Sequence, residues 1–120
     1  MNVLGIETSC DETSASVVSD GRKILSNAVS SSLRFHKIYG GIIPEIASRM
    51  QLETITAVCD SALKKSGIRL KDIGLISVTS GPGLLGSLLI GISFAKAISL
   101  GLHIPLLGKT TFIATFMQIF

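Results

Sequence analysis

The stretch Ile73–Gly101, IGLISVTSGPGLLGSLLIGISFAKAISLG, decides the fold. Its uncharged part, Ile73 to Ala95, has the length of a membrane span. The TSGPG at its centre argues against one, because a Gly-Pro-Gly segment interrupts a spanning helix. The stretch reads instead as a strand (IGLISVTS), a turn (GPG) and a helix (LLGSLLIGISFAKAISLG). The strand is apolar throughout, as expected when both faces are covered. The helix is apolar nearly all round, which predicts burial. IPLLG, just beyond, reads as a short fifth strand, so the last strands run parallel through right-handed crossovers.

Upstream, Glu45 to Ser66 repeats apolar residues at three and four positions: Leu52, Ile55, Val58, Cys59, Ala62 and Leu63. That is one helical stripe facing a sheet. Pro44 suits its first turn, Lys64 and Lys65 its last, and Gly67 its cap. LRFHKIYGGIIP before it is a loop. Further back, NVLGIET, SASVVS and ILSNAVSSS read as three antiparallel strands, with DGRK as a hairpin turn. The order β-β-β-α-β-α-β predicts an α/β domain with a five-stranded mixed sheet.

The chain has 120 residues, enough for one domain with a core. Eleven Lys and Arg against 8 Asp and Glu give a net charge of +3, too mild to imply nucleic acid by itself. The distribution is more telling: after Asp72 there is no carboxylate, and Lys96 and Lys109 are the last charged side chains. Either this half is simply core, or part of it is covered by a partner, a second copy or another domain. Cys10 and Cys59 show no paired spacing, and no leader precedes the first strand. Both are expected to be reduced thiols in a cytoplasmic protein that does not enter a membrane.

In such sheets ligands bind outside the carboxyl ends of the strands. Two loops fall there. ETSCDETS, after the first strand, offers Ser9 with the carboxylates of Asp11 and Glu12 among further hydroxyls. TSGPGLLG, after the fourth, offers Gly81, Gly83 and backbone amides entering a helix N-terminus, suited to an anion. A Gly-Pro-Gly turn is commonly only a turn, and an acidic hydroxyl-rich segment commonly only solvates a loop. Their meeting at one edge favours a phosphate or acyl group held near a general base or a metal-bound water. His36 lies in a loop beside Tyr39, where a histidine is usually solvated; His103 reads as a strand-edge residue. No nucleophile-base pair and no HxxxH spacing is present.

GIETSCDETSASV, HKIYGGIIPEIASR and TSGPGLLGSLLIG resemble, in that order and spacing, the N-terminal lobe of the tRNA threonylcarbamoyladenosine transferases (TsaD), once regarded as glycoproteases. The resemblance runs from Met1 to about Gly108, leaving 109–120 as a divergent apolar tail and a second lobe absent. It implies an actin-like, Hsp70-like (ribonuclease H-like) ATPase fold, the strand meander matching the first phosphate hairpin. It also implies transfer of a threonylcarbamoyl group from threonylcarbamoyl-adenylate to the exocyclic amine of an adenosine beside the tRNA anticodon. Asp11 and Glu12 are then the catalytic pair. Ser9, His36, Gly81 and Gly83 bind substrate, and Arg34, Lys37 and Arg49 contact tRNA phosphates. Implied partners are tRNA, other subunits of the threonylcarbamoylation complex and a dimer mate through this lobe.

The family carries iron or zinc on an HxxxH pair after the fifth strand. Thr111 and Thr115 stand at those positions, and a hydroxyl does not replace an imidazole. A truncated or disrupted form, inactive alone, is therefore expected. Three other readings compete. A non-catalytic pairing module would explain the apolar tail FIATFMQIF, but the full SCDET and YGG blocks point to the catalytic branch. A sugar- or acetate-kinase fragment would explain the hairpin but not YGGIIPEIASR. Proteolysis has neither a catalytic dyad nor a zinc site behind it.

Overall fold

The computed structural model describes residues 1–31, 40 and 44–110. Strand β1 (Asn2–Glu7) alternates, turning Leu4 and Ile6 into the core. It pairs antiparallel with β2 (Glu12–Ser19), from Asn2↔Ser19 to Glu7↔Ser14. Asp20 and Gly21 both take left-handed φ, of 54° and 70°. Such values are what a tight hairpin needs, and they turn the chain into β3 (Lys23–Ser31).

Helix α1 (Pro44–Ser66) starts at the proline and ends at Gly67, whose N–H donates to Leu63 O. A short 3-10 turn over Leu70–Asp72 leads into β4 (Ile73–Gly81). Helix α2 (Leu85–Leu102) and β5 (Leu106–Thr110) complete the described chain. The strand order is β3-β2-β1-β4-β5, with β1, β4 and β5 parallel. The antiparallel meander is thus joined to a parallel half through the central strand β1.

Helix α1 lies over β2 and β3, α2 lies over β4, and the helices touch each other, so both cover one sheet face. Between sheet and helices sits a core of Leu4, Ile6, Ala15, Val17, Ile76 and Val78 with Ile55, Val58, Cys59, Ala62 and Ala95. Among the described residues no helix covers the other face, where Gly5, Ser16 and Ser77 are neighbours across β1, β2 and β4.

Four expectations need correction. Leu52 does not join the inward stripe of α1; it is 64% exposed, and the inward position one residue earlier is taken by Gln51. Positions 51, 55, 58 and 62 line one helical face, whereas 52 is turned well away from it. Helix α2 is not buried all round. Ser87, Leu88, Gly91 and Ala95 are covered, but Leu85 is 72% and Leu89 51% exposed, because sheet and α1 reach one side only. His103 is the left-handed C-cap of α2, with its N–H on Ser99 O, and not a strand-edge residue. The fifth strand begins at Leu106 instead of Ile104 and runs on to Thr110.

The uncharged run does break where TSGPG predicts: β4 stops at Gly81 and α2 starts at Leu85. Helix α2 still has the length and apolarity of a membrane-crossing helix, with hydropathy 1.7 over 18 residues. Here it lies against β4 and α1.

Candidate functional site

The two loops expected at the sheet edge meet there. Strands β1 and β4 are adjacent and parallel, so the segments leaving their carboxyl ends are side by side. Leu84 N–H donates to Ser9 O at 2.8 Å. A Cβ placed on Gly83 would stand 2.5 Å from Ser9 O and 2.8 Å from Ser9 Cβ, so only glycine permits this approach. Gly81 has φ +146°, a backbone conformation that side chains other than hydrogen strain. Both glycines of the turn therefore answer to local geometry as well as to any ligand.

The acidic loop is held from three sides. From β1, Glu7 accepts the Ser9 N–H on Oε1 at 2.7 Å and the Thr79 hydroxyl on Oε2. That carboxylate ties the ends of β1 and β4 together and fixes the first loop amide. From α2, the hydroxyl of Thr8 donates to Ser87 O at 2.6 Å and accepts Gly91 N–H at 3.2 Å. Those are the two groups that a regular helix would pair with each other, so Thr8 docks directly on the ladder of α2. A Cβ on Gly91 would lie 2.5 Å from Thr8 Oγ1.

The third clamp comes from α1. Gln51 is 1% exposed, and its Nε2 donates to the carbonyls of Thr8 (3.2 Å), Cys10 (3.0 Å) and Glu12 (2.8 Å). An amide nitrogen carries two protons, so one is shared between two carbonyls. Gln51 Oε1 and Ser87 Oγ are buried without a partner among the described residues. An unmet buried acceptor costs about 1–3 kcal/mol, and the three carbonyl bonds offset it at roughly 0.5–1.5 kcal/mol each.

With carbonyls 8, 9, 10 and 12 turned inward, the outer surface of the loop carries exposed Cys10 and Glu12 and half-buried Asp11. The Cys10 thiol is pushed up in pKa by partial burial and then by the negative charge of Asp11, which keeps it protonated at neutral pH. Helix α2 begins at this edge with no side-chain cap and no acidic residue in its first turn. Its leading N–H groups therefore make the edge favourable to an anion.

Ser9 is buried within the clamp with Gly83 against it, and Gly81 ends β4 two residues earlier. Arg49 is on the exposed side of α1 and pairs with Glu45 at 3.4 Å. Arg34, Lys37 and His36 lie outside the described residues, as do Thr111 and Thr115. Among the described residues no three His, Cys, Asp or Glu side chains gather to hold a metal. Sequence reasoning missed Gln51 and Thr79; Thr8 was among the loop hydroxyls it offered, without a role in shaping the loop. For Gln51 one signal was present: a glutamine stands where the inward stripe 51-55-58-62 calls for an apolar residue.

The family model of TsaD, tRNA N6-adenosine threonylcarbamoyltransferase, matches residues 23–120. A tRNA N6-adenosine threonylcarbamoyltransferase of Bacillus subtilis is 55% identical over 108 residues, covering 90% of this chain and 31% of its own length. One from Caldicellulosiruptor bescii is 57% identical over 105 residues, 88% of this chain and 31% of its own. The chain thus spans about a third of the length of these curated relatives. Among solved structures, YeaZ from Pseudomonas aeruginosa matches with a TM-score of 0.67 at 19% identity, over 91% of this chain and 43% of that one. That likeness agrees with an actin-like, ribonuclease H-like α/β lobe. The chain belongs to the tRNA N6-adenosine threonylcarbamoyltransferase (TsaD) family.

Proposed function

We propose that this chain supplies one wall of an acyl-transfer site that modifies tRNA adenosine in the cytoplasm. The observation that carries the reading is the clamped loop Thr8–Glu12 joined to the Gly-Pro-Gly turn at the carboxyl edge of the sheet. In the reaction, the exocyclic amine of adenosine attacks the carbonyl carbon of threonylcarbamoyl-adenylate. A new N–C bond forms, the C–O bond to the adenylate phosphate breaks, and AMP leaves. The amine loses one proton, and Asp11 or Glu12 is the base that takes it. The other carboxylate orients the amine, and Ser9 positions the acyl group. The amides around Gly81, Gly83 and the start of α2 favour the developing oxyanion or the phosphate. Arg49, Arg34 and Lys37 serve as phosphate contacts for tRNA, and His36 as a substrate contact.

Exchange of residues 1–108 into the Bacillus subtilis relative tests this. The hybrid should transfer threonylcarbamoyl to tRNA, and Asp11→Asn or Glu12→Gln within it should cut the rate by about 10²–10⁴-fold. A hybrid that keeps full activity with both substitutions would refute the assignment. The 120-residue chain alone should give no modified adenosine.

A second reading concerns partners. The exposed Leu85, Leu89, Leu100 and Leu102 of α2 suit a protein surface that covers them, either a second copy or another subunit of the modification complex. Sedimentation of the purified chain, alone and mixed with such subunits, addresses it. A monodisperse monomer that ignores every partner would sink the pairing role.

A further inference from the structure

We infer that Gln51 is the positioning residue of the acidic loop: its side-chain amide sets the loop's shape and so aims Asp11 and Glu12. The consequence for catalysis rests on the proposed function; the positioning itself does not. Four observations support it. Gln51 is nine-tenths buried or more at the one stripe position of α1 that faces the loop instead of the hydrocarbon core. Its Nε2 reaches the carbonyls of Thr8, Cys10 and Glu12. These alternate residues flank Ser9 and Asp11, so drawing them to one nitrogen curls the loop around the side chain.

The amide orientation is also fixed. Turned over, Gln51 would set its oxygen against three carbonyl oxygens. Finally, the fold leaves Gln51 Oε1 without a partner among the described residues. A side chain selected only to fill space there would be a leucine or methionine, with no polar atom to strand. Glu7, Thr8 and Leu84 hold the loop at Thr8 and Ser9; farther along, Gln51 reaches the carbonyls of Cys10 and Glu12, the latter where β2 begins to pair with β3.

Amide hydrogen exchange on the 120-residue chain tests the inference with Gln51→Met and Gln51→His. Methionine keeps the bulk and removes the donor; histidine keeps an N–H the same number of bonds from Cα. The reporting amides are Ser9, Leu84 and Gly91, all bonded within the clamp, with Ile76 and Ile104 as controls elsewhere. In Gln51→Met the reporters should exchange about tenfold faster relative to the controls, and Gln51→His should restore most of the protection. Unchanged reporters in Gln51→Met overturn the inference. So does equal acceleration of all five amides in both variants, which would make Gln51 a support of the whole fold. If the reporters loosen as expected yet the hybrid enzyme with Gln51→Met transfers at full rate, the positioning stands and the catalytic reading of the loop falls.

Discussion

Helices α1 and α2 cover the same sheet face, yet they relate to their own sequences in opposite ways. In α1, apart from buried Gln51 and exposed Leu52, polar and apolar residues are sorted and burial follows: Ile55, Val58, Cys59 and Ala62 are inside, while Glu53, Thr56, Asp60 and Lys64 face water. In α2, apolar residues are spread round the axis, and only a narrow strip built on Ser87, Leu88, Gly91 and Ala95 is inside. A sorted helix states which side is buried. An unsorted apolar one states only that it expects more cover than a single neighbour gives. The buried strip of α2 is also the smaller-residue side, which is what lets the helix come close enough for Gly91 to meet Thr8.

Four measurements bear on this contrast. Ile55→Ala, on the sorted side of α1, should lower the unfolding free energy by about 2–5 kcal/mol in denaturant titration. A loss below about 1 kcal/mol would mean that α1 is not the better-packed helix. Next is Cys59, whose thiol is pushed up to about 12 by burial, from an ordinary value of 9.0. A raised pKa means the native state holds its proton longer than the unfolded chain. Its contribution is therefore intact below pH 9 and drains away as pH rises toward 12, by roughly 1.4 kcal/mol per unit. Cys59→Ala should flatten that alkaline slope; an unchanged slope would place the thiol in water.

Gly91→Ala probes the inner strip of α2. Its methyl would press on Thr8 Oγ1, at an expected cost of about 1–3 kcal/mol. Neutrality there would show that the loop gives way and is not clamped. The smallest effect belongs to the outer side of α2. Leu89→Ser should change stability by no more than about 0.5 kcal/mol and make the chain less prone to self-association in light scattering. A large loss would show that Leu89 is covered even in the single chain, and the contrast between the helices would close.

The same division separates what was legible in the residues. The hairpin, the helical stripe of α1 and the interruption at TSGPG follow from local rules: left-handed turn residues, a repeat of three to four, and a proline between glycines. Each needs only neighbours in sequence. The placement of the acidic loop against the Gly-Pro-Gly turn followed from the parallel order of β1 and β4. What failed were judgements of which side of a helix its distant neighbours cover. Leu52 fits the stripe as well as Gln51 does by counting, and an α2 without charges reads as fully buried.

The sequence alone therefore determined the element order, the turn chemistry and the kinship of its three motif blocks. Those are set by backbone preference and by residues adjacent in the chain. Only the tertiary structure decided that Gln51, Glu7 and Thr8 shape the loop, since their partners lie up to 83 positions away. It also decided which side of α2 is dry. Hydrogen bonds are directional and short, and cover depends on what stands opposite. Neither can be read before the chain has brought those groups together.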